Sequence, residues 1–456
     1  MRTTNGDTPN AVVGTKSARA KGIGGAVFAP GLRIPRHRAT TAHTCALYPF
    51  HADQGLGPRG VYIGEDVSAG GSSWHFDPFQ LYTDGVITSP NILVLGMVGA
   101  GKSSAVKTML YRMVGLLGSD GKPRWCAILD PKGEYGPLAN ALGLTRLALF
   151  PGGRTRLNPL DAGPYVDSTD ELRARRTQMT AALASSMLRR ELTATEEAAL
   201  SWVIDIVTDA EGDAQPTLRD VVDLLANPTD EMLARSAEDT NRDLARKIAD
   251  VRHGLGKLLD GPLRGMFDGP STVSLDWSGR GVVIDLSAVH QDPEALTVVM
   301  IAATGWLQAL LAAPEGEDVP RRIQVLEEIW ALLGSERVAK YYQSCQKLAR
   351  AYGVANISVA HRISDLRAQT DDGTSAAKVS MGLLADTQTR ILFRQSSDQV
   401  PEATSLLGLT AVEARILPEL ARGRSLWRVG DHTAIVQHRI GSKEWPICDT
   451  DGRLTV

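Results

Sequence analysis

The sequence predicts an α/β protein with a mainly parallel sheet, an all-α insertion and a short β-rich segment near the N-terminus. Three observations support this fold class. Short apolar runs alternate with helical patterns from residue 91 onward, as in βαβ units. The first of these runs, 91–96, leads through a glycine-rich loop into a predicted helix at 102–117. Residues 166–270 show helical periodicity alone, with many acidic residues and few strand formers.

Each element is predicted from its own pattern. Predicted strands lie at 60–66, 91–96, 126–130, 146–150, 281–287, 322–329, 355–361 and 389–395, with a terminal β-hairpin at 425–430 and 432–440. Predicted helices within the insertion span 169–188, 195–210 and 240–259. The resulting domains are a disordered basic tail (1–40), a β-rich segment (41–90), the core (91–165 and 271–440), the insertion (166–270) and a C-terminal tail (441–456).

Composition is that of an ordinary globular protein. The 456 residues carry a net charge of -3, with 43% hydrophobic and 22% charged residues, which excludes a disordered chain, a collagen and a coiled-coil rod. The four cysteines are dispersed, which disfavours a zinc site or a disulfide framework and favours a reducing compartment. Residues 1–40 carry a charge of +6 and the remainder -9, which disfavours a surface that coats nucleic acid. The basic tail itself either contacts nucleic acid or an anionic membrane, or is a solvated terminus, and we favour the last.

One apolar segment has the length of a marginal membrane span. Residues 296–313 include no charged side chain over 18 positions. Because this segment lies between two predicted strands, we predict a buried crossover helix instead. The first residues are polar and do not resemble a signal peptide, so we predict a cytoplasmic protein without a transmembrane segment.

The glycine-rich loop fits the phosphate-binding pattern G-x-x-x-x-G-K-[ST]. Glycines allow the backbone to wrap around phosphates, Lys102 reaches the β- and γ-phosphates, and the Ser103 hydroxyl ligates Mg²⁺. The loop follows an apolar strand and begins a helix, which is the context that the motif requires. The predicted ATP-binding residues in this loop are Gly96, Gly99, Ala100, Gly101, Lys102, Ser103 and Ser104.

A phosphate-loop enzyme also needs an acidic residue at a neighbouring strand end. Two sites compete for this role: Asp130 after the second core strand, and the pair Glu327 and Glu328 after residues 322–326. The pair suits the double task better. We expect Glu327 to assist the metal ion and Glu328 to polarise the attacking water. Asp130 is retained as a nucleotide-binding candidate.

Several segments recur together in one protein family. They are DPKGEY (130–135), RLNPLD (156–161), EEIWALL (327–333), SDL (364–366), ADTQTRILFRQ (385–395) and RGRSLWRVGDHTAIVQH (422–438). In this combination the chain resembles the cytoplasmic ATPases of type IV secretion and conjugation systems, the TraC-like class of the HerA–FtsK superfamily. The resemblance covers about residues 85–440. It implies a RecA-like core with the insertion as a lid, a homo-hexameric ring and ATP hydrolysis with Mg²⁺.

The resemblance also implies further site residues and partners. His361 matches a sensor of the γ-phosphate that is usually glutamine, and Glu327 stands where aspartate is usual. An arginine from the adjacent subunit completes such sites, and the candidates are Arg390, then Arg394, then Arg350. The implied partners are secretion-channel or coupling proteins, with DNA as a further one and a peripheral position at the inner membrane face through partners. Family members usually carry a large N-terminal docking domain, whereas about 85 residues precede the motor here.

Three functions remain open at this point. The first is a motor that energises export or the assembly of a channel or pilus. The second is a DNA translocase of the same superfamily, against which the near-neutral core argues mildly. The third, motivated by the replacements at Glu327 and His361, is a nucleotide-binding assembly platform with little hydrolysis.

Overall fold

The computed structural model describes residues 55–164, 168–210, 215–273, 279–311, 319–333, 336–361, 382–383 and 387–449. The predicted disordered tail at 1–40, the SDL segment at 364–366 and residues 385–386 of the ADTQTRILFRQ segment lie outside these residues. The strands are β1 (Val61–Asp66), β2 (Ser72–Phe76), β3 (Ile92–Leu95), β4 (Arg124–Asp130), β5 (Thr145–Ala148), β6 (Gly281–Asp285), β7 (Arg321–Leu326), β8 (Val354–Ala360), β9 (Thr389–Phe393), β10 (Arg424–Val429) and β11 (His432–His438).

Fourteen helices are described along the same residues. They are α1 (Pro78–Thr83), α2 (Lys102–Gly115), α3 (Gly136–Leu142), α4 (Thr169–Leu188), α5 (Ala194–Asp209), α6 (Leu218–Ala226), α7 (Asp230–Arg235), α8 (Asn241–Lys247), α9 (Ala249–Asp260), α10 (Pro293–Leu311), α11 (Glu336–Ala351), α12 (Val400–Leu407), α13 (Ala411–Ile416) and α14 (Trp445–Cys448). Short 3₁₀ turns lie at Ile329–Leu332 and Leu417–Glu419.

The described strands form one 11-stranded sheet in the order β2-β1-β11-β10-β9-β3-β8-β7-β4-β6-β5. All pairs from β9 through β3 to β5 are parallel, and the pairs that join β2, β1, β11, β10 and β9 are antiparallel. This confirms the predicted α/β class with a mainly parallel sheet. The carboxyl ends of the parallel strands meet at one edge of the sheet, which is where ligands bind in open α/β folds.

Two hydrophobic cores cover the two faces of the sheet, and β3 contributes to both. Ile92 and Val94 belong to the core that contains α2, whereas Leu93 and Leu95 belong to the core that contains α10 and the insertion. This alternation follows from the two-residue period of a strand. It also explains why β3 reads as a continuous apolar run.

Helix α10 is the one described helix that is long and apolar enough to cross a bilayer, and 83% of its most apolar window is buried inside the protein. This agrees with the predicted crossover helix between two strands. Its Trp306 donates from Nε1 to Asp161 Oδ2 at 3.1 Å, which ties the helix to the RLNPLD segment.

The described residues between 168 and 260 contain helices alone, α4 to α9. A single helix was predicted at 240–259, but α8 ends at Lys247 and α9 begins at Ala249. The buried Ile248 between them leaves helical backbone geometry, with a ψ angle of 11°. Buried Arg176 of α4 joins the insertion to the core, since its Nε donates to Leu160 O at 2.7 Å.

One strand, β2, escaped sequence analysis. Its sequence, SSWHF, lies between the turns at 70–71 and 77–78, and its first two residues are exposed serines. Five residues with a polar start carry too short an alternation to be distinguished from a loop. Strand β2 is recognisable through its antiparallel pairing with β1.

Candidate active site

The phosphate loop connects β3 to α2 at the carboxyl edge of the sheet. Gly101 precedes α2 and has a φ angle of 104°, which residues with a Cβ rarely adopt. Gly96 lies so close to β9 that a Cβ at this position would be 2.4 Å from Phe393 Cβ. These two glycines therefore fulfil the steric requirements that their motif predicts.

Backbone hydrogen bonds fix the loop from the other side. Met97 N donates to Arg394 O at 2.9 Å, and Gly423 N donates to Ala100 O at 3.0 Å. Ala100 is fully buried. The end of β9 and the turn before β10 thus hold the loop in place.

Lys102 lies at the start of α2, and its ammonium is directed back over the loop. Nζ lies 3.1 Å from Met97 O and also contacts Gly96 O. It lies 3.0 Å from His361 Nδ1, at the end of β8. The phosphate lysine and the predicted sensor residue are therefore in direct contact.

Glu328 is held by three side chains from three segments. Its Oε1 lies 2.9 Å from His361 Nε2 and 2.6 Å from Lys132 Nζ, and Trp330 Nε1 donates to its Oε2. Burial by itself raises the pKa of the Glu328 carboxyl, but hydrogen bonding and attraction by His361 and Lys132 outweigh it and lower that pKa. The carboxylate is therefore ionised and fixed in orientation.

The backbone of Glu328 is strained. Its φ of 56° and ψ of 43° lie in the left-handed region, which a residue with a Cβ occupies at a cost of about 1 kcal/mol or more. Among the described residues outside glycine, only Arg189 shares a positive φ. The turn after β7 therefore depends on the side-chain contacts that hold Glu328.

The contacts define the tautomer of His361. A neutral imidazole has one acceptor nitrogen and one donor nitrogen, whereas a lysine ammonium only donates. The Glu328 carboxylate only accepts, so the Nε2 that faces it carries the hydrogen and donates, and Nδ1 is left to accept from Lys102. A continuous chain of hydrogen bonds thus runs from Lys102 through His361 to Glu328.

Glu327 is directed to a different partner. Tyr135 donates its hydroxyl hydrogen to Glu327 Oε1 at 2.5 Å, and both side chains are buried. Burial raises the pKa of the Glu327 carboxyl, and the neighbouring charge of Glu328 acts in the same direction. Buried Lys107 lies 5.1 Å from the Tyr135 ring centroid and donates to Glu134 O at 2.8 Å.

Asp130 shapes the DPKGEY turn. Its Oδ1 accepts from Glu134 N at 3.1 Å and its Oδ2 from Tyr135 N at 2.9 Å. Burial raises the pKa of this carboxyl, and the two backbone donors oppose that rise. This turn places Lys132 and Tyr135 against the two glutamates, so the role of Asp130 seen here is to fold the turn. Nucleotide contact by Asp130 remains a prediction.

The predicted magnesium ligands are hard oxygen donors, as Mg²⁺ prefers. Ser103 is the second residue of α2, and Glu327 follows the last residue of β7. No cluster of three His, Cys, Asp or Glu side chains suited to a metal occurs in the described parts of the chain. The Ser103 hydroxyl and the Glu327 carboxylate are oxygen donors of the kind that binds Mg²⁺ together with nucleotide phosphates.

The candidate arginines lie in different settings. Arg390 is the second residue of β9, where its Nε donates to Thr387 O and its Nη1 to Leu407 O, both at 2.9 Å. Arg394 directly follows β9, and its backbone carbonyl accepts from Met97 N in the phosphate loop of the same chain. The side chain of Arg350 lies outside the described residues. A contribution of any of them to an adjacent subunit stays a prediction, and the carbonyl contacts of Arg390 give it a structural task within this chain.

Four residues of the site were not assigned by sequence reasoning: Lys107, Lys132, Tyr135 and Trp330. Three of them lie within the motifs DPKGEY and EEIWALL. Their closeness in sequence to the predicted acidic residues was the one signal that could have identified them. Their individual roles depend on which strand ends are adjacent, and the order β8-β7-β4 supplies that information.

Comparisons with known proteins agree with this fold. The family model "Helicase HerA, central domain" matches residues 77–303. The structure of VirB4 of Thermoanaerobacter pseudethanolicus superposes with a TM-score of 0.64 at 20% identity, covering 86% of this chain and 99% of that chain. No curated protein matches the sequence significantly.

A second structural match is the plasmid coupling protein TrwB. Its complex with ADP and Mg²⁺ has a TM-score of 0.56 at 15% identity and covers 86% of this chain and 97% of that chain. Its complex with the non-hydrolysable ATP analogue ADPNP has a TM-score of 0.54 at 18% identity, covering 77% and 86%. The fold of this chain is therefore that of RecA-like P-loop ATPases.

Proposed function

We infer that this chain is a P-loop ATPase of the HerA–FtsK superfamily, and from this premise we propose that it hydrolyses ATP as the motor of a conjugation or type IV secretion system. The observation that carries the proposal is the hydrogen-bonded chain from Lys102 through His361 to Glu328. It joins the lysine of the phosphate loop to an ionised carboxylate after β7, two strands away from β3 in the sheet. A glycine-rich turn without catalytic function has no need of this arrangement.

In the proposed reaction, ATP binds with its β- and γ-phosphates on the loop at 96–103 and on Lys102. Mg²⁺, when bound with the nucleotide, neutralises phosphate charge, and Ser103 and Glu327 are the residues that would hold it. Glu328 accepts a hydrogen bond from water and orients it toward the γ-phosphorus. The water oxygen bonds to that phosphorus, the bond to the β,γ-bridging oxygen breaks, and the proton leaves with the inorganic phosphate.

The export role is supported by the combination of motifs and by the fold. TrwB is described as a conjugative coupling protein, and it shares the fold of this chain. We propose a homo-hexameric ring on the cytoplasmic side, with an arginine of the adjacent subunit, first Arg390, completing each site. Secretion-channel or coupling proteins would provide its contact with the membrane, and the exported substrate would be DNA or protein.

The test is steady-state ATP hydrolysis by the wild type and by Glu328→Gln. We expect Mg²⁺-dependent turnover by the wild type and a loss of about 100-fold or more in the variant, because the oriented water is lost. Nucleotide binding should remain in both proteins. Turnover at background in both would overturn the motor and favour a nucleotide-binding assembly platform.

A DNA translocase is the second candidate function. The observation that favours it is the match of residues 77–303 to the central domain of a HerA helicase. For this function we expect double-stranded DNA to stimulate ATP hydrolysis, and we expect salt to abolish the stimulation because phosphate contacts release counterions. Hydrolysis that is indifferent to DNA at low salt would exclude this candidate.

A further inference from the structure

Lys132 is a site residue for which the hydrolytic scheme has no task. It lies in the DPKGEY turn after β4, and its Nζ is 2.6 Å from Glu328 Oε1. The Lys132 side chain is 31% exposed, whereas that of Glu328 is 4% exposed. Lys132 is therefore the member of this ion pair that a ligand can reach from solvent.

Two lysines contact the same imidazole ring from opposite nitrogens. Lys102 Nζ lies 3.0 Å from His361 Nδ1, and Lys132 Nζ lies 2.6 Å from His361 Nε2. Because Nε2 carries the hydrogen that it donates to Glu328, it offers Lys132 no lone pair. The favourable contact of Lys132 in this cluster is thus with Glu328.

The ammonium groups of the two lysines lie close together. Each contacts one nitrogen of the His361 ring, and Lys132 is also paired with the Glu328 carboxylate. Repulsion between like charges is strong in a poorly solvated site. A phosphate group, with several anionic oxygens, is the ligand class that relieves it.

We propose that Lys132 is a second phosphate-binding lysine, which leaves Glu328 Oε1 for the γ-phosphate when a nucleoside triphosphate binds to the loop at 96–103. The inference rests on the proposed function, because it names a further substrate contact at the same site. The exchange leaves Glu328 bonded to His361 and Trp330 and opens Oε1 to the attacking water. A nucleoside diphosphate has no γ-phosphate, so it leaves the Lys132–Glu328 pair intact.

The first test compares two ligands in three full-length proteins. Binding of ADP and of the non-hydrolysable analogue ADPNP is measured calorimetrically, with Mg²⁺, for the wild type, Lys132→Met and Lys132→Arg. We expect Lys132→Met to weaken ADPNP binding about tenfold or more, the effect of one charged hydrogen bond, and to leave ADP binding within about twofold. Lys132→Arg, which keeps the charge, should recover most of the loss and also serves if Lys132→Met folds poorly.

The second test uses the competition between Glu328 and the γ-phosphate. Glu328→Gln removes the competing carboxylate charge, so we expect it to tighten ADPNP binding several-fold. The gain should vanish in the double variant Lys132→Met/Glu328→Gln, because the competition acts through Lys132. A purely structural role of Lys132 would produce no such coupling.

The outcomes separate this inference from the proposed function. Equal losses of ADP and ADPNP affinity in Lys132→Met, or a gain from Glu328→Gln that persists without Lys132, would overturn the second-lysine role alone. ATP hydrolysis by the wild type would still stand in that case. A wild-type protein that binds neither nucleotide would overturn both.

Discussion

The candidate site at the carboxyl edge of the sheet has two halves that are held in different ways. One is the phosphate loop at 96–103, and the other is the pair Glu327 and Glu328 with the side chains that contact them. Backbone hydrogen bonds fix the phosphate-loop half, since Met97 N donates to Arg394 O and Ala100 O accepts from Gly423 N. The glutamate half is fixed by side chains, since Glu328 contacts Lys132 and His361. Backbone bonds of this kind persist as long as the local fold does, whereas an ion pair can exchange one partner for another. We therefore expect the loop to keep its form through the reaction cycle and the glutamate half to change its contacts.

The largest expected effect comes from the phosphate-loop half. Lys102→Ala should lower ATP turnover by about 100- to 1000-fold, because the cation at the transferred phosphate is lost. It also removes the donor to His361 Nδ1. Turnover is measured at saturating ATP and compared with Lys257→Ala, an exposed lysine of helix α9. Comparable turnover in the two variants would show that the loop does not bind the reacting phosphate.

His361 joins the two halves, and its replacement tests that junction. His361→Leu should lower turnover by about tenfold or more, because Lys102 and Glu328 lose their common partner. His361→Gln should stay within about threefold of the wild type, since an amide accepts through its oxygen and donates through its nitrogen.

These two variants test why histidine can stand at position 361, where the family usually has glutamine. Histidine and glutamine can each offer an acceptor to Lys102 and a donor to Glu328, as the contacts of these two residues require. Equal activity of the leucine and glutamine variants would show that these hydrogen bonds do not contribute to catalysis.

Within the glutamate half, Glu327 depends on one donor. Tyr135→Phe leaves the buried carboxylate without the hydroxyl at 2.5 Å and should lower the free energy of unfolding by about 1–3 kcal/mol. Urea denaturation measures the change. Tyr82→Phe, at a tyrosine that is 42% exposed, should change it little. If both variants unfold alike, the hydroxyl does not stabilise Glu327.

Sequence analysis predicted the phosphate-loop half better than the glutamate half. A contiguous motif specifies the loop, because Gly96 and Gly101 have steric tasks that no other residue type fulfils. The core strands were also predictable, since buried parallel strands read as continuous apolar runs.

The glutamate half could not be predicted in detail from the sequence. Its contacts join Lys132, Glu328 and His361, which belong to strands β4, β7 and β8 and the turns after them. Their proximity depends on the strand order, which local patterns do not encode. The left-handed backbone of Glu328 was equally hidden, because nothing in a glutamate side chain signals that conformation.

The smallest expected effect concerns Trp330, and it tests how firmly the glutamate half must be held. Trp330→Phe keeps an aromatic ring and removes the Nε1 donor to Glu328 Oε2. Lys132 and His361 still contact Oε1, so the carboxylate keeps its charge and loses one constraint on its orientation. A lost hydrogen bond to a charged group has an upper limit of roughly 3 kcal/mol, and the remaining contacts reduce the effect. We expect kcat to fall about three- to tenfold with KM unchanged, since Trp330 orients the Glu328 carboxylate and does not bind substrate. Trp202→Phe, in helix α5 of the insertion, is the matched control and should leave both constants unaltered. A rise in KM with kcat preserved would mean that Trp330 acts on nucleotide binding, and the side chains at Oε1 would then suffice to position Glu328.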